Sequence, residues 1–388
     1  MTTTRAAVTP RTAETAIATH PTPGPYAPSL RDLDGRDPVR IGVLGCGPIA
    51  QHAHLDSTRR ASNAELYAIC DVATDLLERM AEIHRPAKTF SDYDQMLADP
   101  ALEAVVIATS DEFHVSLAER AVRAGKHVLV EKPMGVSVEE CLALHAAVRE
   151  SGIVLHVGFM KRYDPGIQSA RRFVAEEMGE LLSIRAWYCD SAYRYQVTDN
   201  LLPIPVHTDH AQRPAGDPKA DRRRYYMLSH GSHLVDLARF IGGEITCISC
   251  QLVEKFGAYS WASTLTFASG AVGQLDLTIP VAMDWHEGFT IYGEHGSVTG
   301  RSYLPWYHRA SDVDCFSLSS GRSTRALGAD AHFYKLQIEG FASAVRGHTV
   351  EDAATVEDGL AATRAMVATA TAARTGKDVR LDEVHGPV

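Results

Sequence analysis

No run of about 18 apolar residues occurs in this 388-residue chain, so no membrane-spanning helix is predicted. Cysteines are few and odd in number: seven, spread through a large chain, do not make a disulfide framework. Cys247-x-x-Cys250 has no second C-x-x-C to complete a metal site and lies in a segment that reads as a strand, where residues three apart face opposite ways. Positive charge is also short. With 38 Lys and Arg against 48 Asp and Glu, the net charge is −10 and no general nucleic-acid surface is expected. The one compact basic run, Arg222-Arg223-Arg224, is flanked by Asp217 and Asp221. Residues Met1 to Pro38 lack the apolar core of a signal peptide; rich in Thr, Ala and Pro, they read as a mobile arm able to wrap a neighbouring subunit. There is no internal repeat. What remains is a soluble, cytoplasmic globular protein with 45% hydrophobic and 22% charged residues, long enough for two domains.

The most informative stretch runs from Val39 to Ala50, where an apolar strand enters Gly45-Cys46-Gly47-Pro48-Ile49-Ala50 and a helix follows. This is the G-x-G-x-x-[GA] dinucleotide fingerprint in its proper setting. Gly45 permits the tight turn, Gly47 lets the backbone approach a pyrophosphate, and Ala50 is small enough for the helix to sit on the strand. The helix start, with Pro48 and Ile49, turns free N–H groups toward phosphate. Asp71 closes the next strand 21 residues after Ala50. A carboxylate there accepts from ribose hydroxyls and repels a 2′-phosphate, so NAD is expected over NADP. Val72-Ala73-Thr74 brings no cation to offset that repulsion.

Strands Leu66–Cys70, Ala104–Ala108, His127–Val130 and Ile153–Val157 alternate with helical stretches Thr74–His84, Phe113–Ala124 and Val138–Glu150. That alternation predicts an α/β Rossmann unit, a doubly wound parallel sheet, over 39–158. Beyond it the pattern changes: a helix over Pro165–Glu177, a strand over Leu181–Tyr188, a polar segment from Asp190 to Tyr225, and a helix over Ser229–Ile241. Five strands between 244 and 301 and two closing helices, 332–346 and 355–374, complete it. Residues 159–388 are therefore expected to form an α+β domain with a large open antiparallel sheet, for substrate binding and oligomerisation.

Two clusters carry candidate chemistry. Glu131-Lys132-Pro133 ends the fifth strand, and ligands of doubly wound folds sit beyond the carboxyl ends of the strands. Lys132 beside a nicotinamide ring in a dry cleft is a sound proton-transfer group. Ser229-His230-Gly231-Ser232-His233-Leu234-Val235-Asp236 opens a helix, with His233 and Asp236 on one face. A histidine close to the lysine can hold or relay a hydroxyl proton. The segment from Asp190 to Tyr225, with Tyr193, Tyr195, His207, Asp209 and His210, is where substrate choice is expected to be written, and Trp285 and Trp306 are candidates for stacking on a sugar ring. His207-x-Asp209-His210 has a metal-like spacing, but hydride transfer to NAD requires no metal, and none is expected.

In order and spacing these residues resemble the glucose–fructose oxidoreductase / inositol dehydrogenase / rhizopine-catabolism (Gfo/Idh/MocA) family over 39–375. The resemblance rests on the glycine turn, Thr109 with His114, Glu131-Lys132-Pro133, Gly158 to Pro165, Gly231-Ser232-His233 with Asp236, and Ile291 to Ser297. It implies an NAD(P)-dependent oxidoreductase of sugars and cyclitols, assembled as a dimer or tetramer through the second-domain sheet. It also implies that Lys132 and His233 are the catalytic pair. Thr109, His114, Glu131 and Lys132 would serve the cofactor, and Lys132, Arg162, Tyr163, Ser229, His230 and His233 would meet substrate, Arg162 and Tyr163 at the domain junction. One departure stands out: many members carry an aspartate four residues before the histidine, and here that place is Ser229.

The expected function is an NAD-dependent dehydrogenase of a sugar, glycoside or cyclitol. A keto-sugar reductase of a biosynthetic pathway runs through the same residues in reverse. A non-catalytic NAD-binding sensor or assembly protein would keep the fold without turnover.

Overall fold

The computed structural model describes residues 37–192, 204–217, 219–325 and 332–388. The first layer is a six-stranded sheet of β1 (Val39–Leu44), β2 (Ala64–Cys70), β3 (Lys88–Phe90), β4 (Ala104–Ile107), β5 (His127–Val130) and β6 (Leu155–Val157). The order is β3-β2-β1-β4-β5-β6, with every neighbour parallel. Chain direction across the sheet reverses beside β1, which opens a crevice at the carboxyl edge. Register sets what enters that crevice. Leu44 stands opposite Cys70 on one side and Ile107 on the other, and Ile107 stands opposite Val130. The four strands end level, so Gly45, Asp71, Ala108 and Glu131 leave from one edge.

Local signals set the helices of this layer: α1 (Leu55–Arg60), α2 (Thr74–His84), α3 (Tyr93–Leu97), α4 (His114–Arg123) and α5 (Val138–Ser151). A π-turn, Ala50–His54, precedes α1. Ser137 and Glu140 form a reciprocal capping box on α5, and Gly152 ends it in the left-handed conformation. The next helix, α6 (Pro165–Glu176), begins with proline at its first position and Asp164 accepting from the Gly166 N–H.

The second sheet has nine strands: β7 (Leu181–Ser191), β8 (Ile245–Lys255), β9 (Ala258–Phe267), β10 (Val272–Val281), β11 (His286–Gly293), β12 (Gly296–Ser302), β13 (Asp312–Ser317), β14 (Arg322–Arg325) and β15 (Val379–Arg380). Strict alternation on β9, with Tyr259, Trp261, Leu265 and Phe267 inward, buries one face. The sheet is the expected large antiparallel one, with one parallel pair, β7 and β10. After β7 the chain makes a long excursion through α7 (Arg222–Tyr226) and α8 (Ser232–Gly242) and re-enters at β8 in the same direction. Two hairpins then bring β10 alongside β7. A π-turn, Met227–Gly231, joins α7 to α8, so the expected single helix from Ser229 starts inside a widened turn. The apolar signal of β7 fades after Tyr188, yet pairing carries the strand on to Ser191.

Two helices close the chain, α9 (Phe333–Val345) and α10 (Val356–Thr375). Ile338, Phe341 and Ala342 of α9 pack among Val39, Ile41 and Leu66 of the first sheet, while α10 lies against α5 and β8. All seven cysteines are free, and no helix among the described residues is long and apolar enough to cross a membrane.

His156 on β6 packs edge-on against Phe341, ring centres 5.6 Å apart, and burial pushes its imidazole down to about 4. The unfolded chain takes up that proton near pH 6.5. Stability from this site is therefore complete above about pH 6.5 and is lost as pH falls toward about 4, amounting to about 3 kcal/mol. Denaturant titrations of the wild type and His156→Leu should show the wild type losing about 2 kcal/mol more between about pH 7.5 and pH 5. Equal losses in the two proteins would contradict this assignment.

Candidate active site

The crevice at the β1–β4 edge encloses about 580 Å³, with Gly45, Gly47, Pro48, Ile49, Asp71, Ala108 and Thr109 in its walls. Gly45 has φ +90°, and a Cβ there would lie 2.7 Å from the Ala108 carbonyl oxygen. At Gly47 a Cβ would meet nothing within 4 Å, so the missing side chain leaves room for a ligand. Ala50 is fully buried behind the turn. Asp71 accepts hydrogen bonds from the backbone N–H groups of Cys46, at 2.7 Å, and Ala73, at 2.9 Å. A carboxylate has about four acceptor sites, which leaves capacity for ribose hydroxyls. These features fit a dinucleotide: the turn would take the pyrophosphate and Asp71 the adenosine ribose.

Gly45→Ala tests that fit. Forcing an L-residue to φ +90° against a backbone oxygen costs about 1–2 kcal/mol, so NADH affinity measured by fluorescence titration should fall about tenfold. Unchanged affinity would show that the turn does not shape the site.

Sequence reading gave no hint of the crevice's outer wall. Residues 204–213 cross it, with Ala211, Gln212 and Arg213 facing the cavity. The Gln51 amide pins this strap: Nε2 donates to the Val206 carbonyl at 2.9 Å, and Oε1 accepts from the Val206 N–H at 2.8 Å. The same Nε2 also donates to the Cys46 carbonyl in the glycine turn. Thr208 donates to the Asp75 carboxylate on α2. His207, Asp209 and His210 are exposed on this strap beside the cofactor crevice and do not reach the second cavity. Tyr193 and Tyr195 lie outside the described residues, as does nearly all of the amino-terminal arm.

A second cavity, of about 250 Å³, shares Ile49 and Thr109 with the crevice. Lys132, Ser229, His230 and His233 all line it, together with His114 and Glu131. The Rossmann edge and the π-turn before α8 thus deliver their candidate residues to one chamber. Lys132 Nζ donates to the Ser229 carbonyl at 3.2 Å. The fully enclosed Glu131 carboxylate lies 2.7 Å from His54 Nε2 and accepts from the Lys132 N–H at 3.0 Å. Burial pushes that carboxyl up, but the hydrogen bond and charge of His54, with Lys132 beside it, hold it below the usual range. His114 ties the β4 and β5 ends together, with Nδ1 2.7 Å from the Pro133 carbonyl and Nε2 3.2 Å from that of Thr109.

The remaining walls are aromatic. Trp306 stacks on Tyr334 at 5.5 Å, Trp285 meets Tyr188 edge-on at 4.8 Å, and His233 lies parallel to the Tyr188 ring at 6.2 Å. Lys161, which drew no attention in the sequence, also lines the chamber; it pairs with the buried Glu287 and sits 4.4 Å from the centre of the Tyr188 ring. Burial pulls the Lys161 ammonium down and pushes the Glu287 carboxyl up. Asp111 completes the polar lining, its carboxyl raised by burial.

Arg162 and Tyr163 do not line the chamber. The 3₁₀ turn Met160–Tyr163 presents Met160 and Lys161 to it and sends Arg162 the other way. There the guanidinium binds the Asp236 carboxylate, Asp358 and the Ala353 carbonyl. Tyr163 is buried, its ring against Gly340 on α9.

Comparison with known proteins agrees with this geometry. Residues 39–159 match an oxidoreductase family with an NAD-binding Rossmann fold, and 167–299 match the GFO/IDH/MocA C-terminal domain. The chain is 27% identical over 368 residues to scyllo-inositol 2-dehydrogenase (NAD(+)) of Bacillus subtilis, covering 89% of this chain and 96% of that one. An uncharacterized oxidoreductase of Rhizobium meliloti is 34% identical over 320 residues, 80% of this chain and 90% of the other. Among solved structures, levoglucosan dehydrogenase in complex with NADH and L-sorbose superposes with a TM-score of 0.72 at 21% identity, covering 90% of this chain and all of that one.

Proposed function

Because the chain belongs to the Gfo/Idh/MocA oxidoreductase family, we propose that it is an NAD-dependent dehydrogenase acting on a secondary alcohol of a sugar, glycoside or cyclitol. One observation carries the reading: the dinucleotide crevice and the Lys132–His233 chamber meet at Ile49 and Thr109. Ile49 and Thr109 would hold the nicotinamide end at that junction, beside a substrate that Lys132 would hold. Bound NAD supplies the hydride acceptor. Lys132 Nζ, as the unprotonated amine, takes the hydroxyl proton as the carbonyl forms and becomes the ammonium, and His233 holds the same oxygen. Tyr188, Trp285 and Trp306 offer flat apolar faces to the C–H faces of a ring, and polar groups at one end fix its orientation. Arg162 has no part in this scheme.

Relatives support the substrate class. Alongside the B. subtilis inositol enzyme stands a 1,5-anhydro-D-fructose reductase of Ensifer adhaerens, 25% identical over 351 residues, which keeps the reductive direction open as a second reading. A panel of inositols, glucosides, anhydrosugars and their keto forms, assayed for NADH production and consumption, separates the readings. Turnover of at least one polyol is expected. Turnover of keto-sugars alone would favour the reductase, and stoichiometric NAD binding without turnover in either direction would leave a sensor.

A further inference from the structure

The family aspartate is missing at position 229, yet a carboxylate on another element is linked to that position through one imidazole ring. Ser229 Oγ lies 2.6 Å from the Tyr225 carbonyl oxygen and 2.6 Å from His230 Nδ1. His230 Nε2 lies 2.9 Å from Asp190 Oδ2 near the end of β7. The backbone carbonyl can only accept, so the hydroxyl's single proton goes to Tyr225. Ser229 Oγ must then accept from His230 Nδ1–H, and the other ring nitrogen donates to Asp190. A ring donating from both nitrogens is an imidazolium. It is 5% exposed, as is Asp190, and a buried cation is stable only with such a partner.

We propose that Asp190, acting through His230, replaces the absent carboxylate as a positioning unit that holds the Ser229 peptide against the Lys132 side-chain nitrogen. Residue 229 is the hinge of the device: its side chain is fixed by Tyr225 and His230, and its carbonyl accepts from Lys132 Nζ. The π-turn Met227–Gly231 places both on the chamber side, and such widened turns recur at functional sites. Around His230 stand the rings of Tyr188 and Tyr226, at 5.4 and 5.8 Å, with Lys132, Lys161 and Asp111 also lining the chamber. Because a displacement of about 1 Å at a reacting group can cost about a hundredfold in rate, the unit acts on kcat without touching cofactor.

The proposal rests on the dehydrogenase reading for its kinetics, so its first test needs no substrate. Imidazole nitrogen NMR of the ¹⁵N-histidine-labelled full chain at neutral pH should show a ring protonated on both nitrogens that is lost in His230→Gln and becomes neutral in Asp190→Asn. Absence of that ring in the wild type, or its persistence in Asp190→Asn, overturns the proposal even if no polyol turns over. On a polyol that does, Asp190→Asn should lower kcat about tenfold to a hundredfold with NADH affinity unchanged. Asp190→Glu, which keeps a carboxylate on the Nε2 side, should be slowed less than Asp190→Asn. Equal losses in the two variants would leave Asp190 a merely structural residue. If Asp190→Asn fails to bind NADH, the wild-type and His230→Gln spectra decide.

Discussion

Lys132→Ala should lower kcat by about 10²–10⁴-fold, the range for loss of a positioned acid–base group, while NADH still binds. The separation follows from where the parts sit. The glycine turn, Asp71 and the strap enclose the dinucleotide crevice, and Lys132 lines only the chamber beyond Thr109. Its Nζ donates to the Ser229 carbonyl and to nothing in the crevice walls among the described contacts. Removing it leaves Glu131 with its His54 contact and the Rossmann edge intact. Stopped-flow binding of NADH beside steady-state kinetics on the best polyol measures both halves. A variant with near-normal kcat would remove Lys132 from the chemistry, and a variant that lost NADH binding would mean that the chamber and crevice are not separable.

Arg162→Met should cost about 3–5 kcal/mol of stability, the price of leaving one partner of a buried ion pair alone. Arg162 joins three segments. It meets the Asp236 carboxylate of α8 at 2.6–3.1 Å, Asp358 of α10 at 3.1 Å and the Ala353 carbonyl. Burial pushes the Asp236 carboxyl up, and the Arg162 guanidinium opposes that most strongly, with Arg239 adding to it. Asp358 is drawn down to about 2 despite its burial, because Arg162 and Arg239 both face it. With Arg162 gone, two carboxylates share one remaining arginine. Arg162→Met/Asp236→Leu should recover part of the loss, since paired apolar replacements relieve both charges. Denaturant titration reads this. Because Arg162 does not line the chamber, KM for the polyol in the folded variant should stay close to the wild-type value. A large rise in KM with little loss of stability would restore the substrate contact expected from its motif.

The parts of this site legible in the sequence are those written locally. Gly45, Gly47 and Ala50 encode one turn, Asp71 the end of the next strand, and Glu131-Lys132 a third strand end. Parallel register then brings all of them to a single edge. The π-turn histidines were found through a compact motif, although the widened turn itself leaves no composition signal. Contacts between distant elements were not legible. Asp190 was read as the start of a polar segment because the apolar alternation of β7 stops at Tyr188, and its partner His230 is 40 residues away. Lys161 lies inside the Gly158–Pro165 motif, but the sequence alone does not say that in the 3₁₀ turn it, and not Arg162, faces the chamber. The short strands β3, β13 and β14 are polar or mixed, so pairing partners rather than periodicity define them. The strap over the crevice carries only the His207-x-Asp209-His210 spacing, which gives no sign of a wall; the Gln51 amide, the Thr208 hydroxyl and the packing of Val206 hold it.

The most direct measurement is a crystal structure with NADH and the polyol that turns over fastest. Lys132 Nζ and the His233 imidazole should both lie within hydrogen-bonding distance of one substrate oxygen, with the carbon bearing it facing C4 of the nicotinamide. A polyol bound outside the chamber, or a nicotinamide ring turned away from Thr109, would contradict the account.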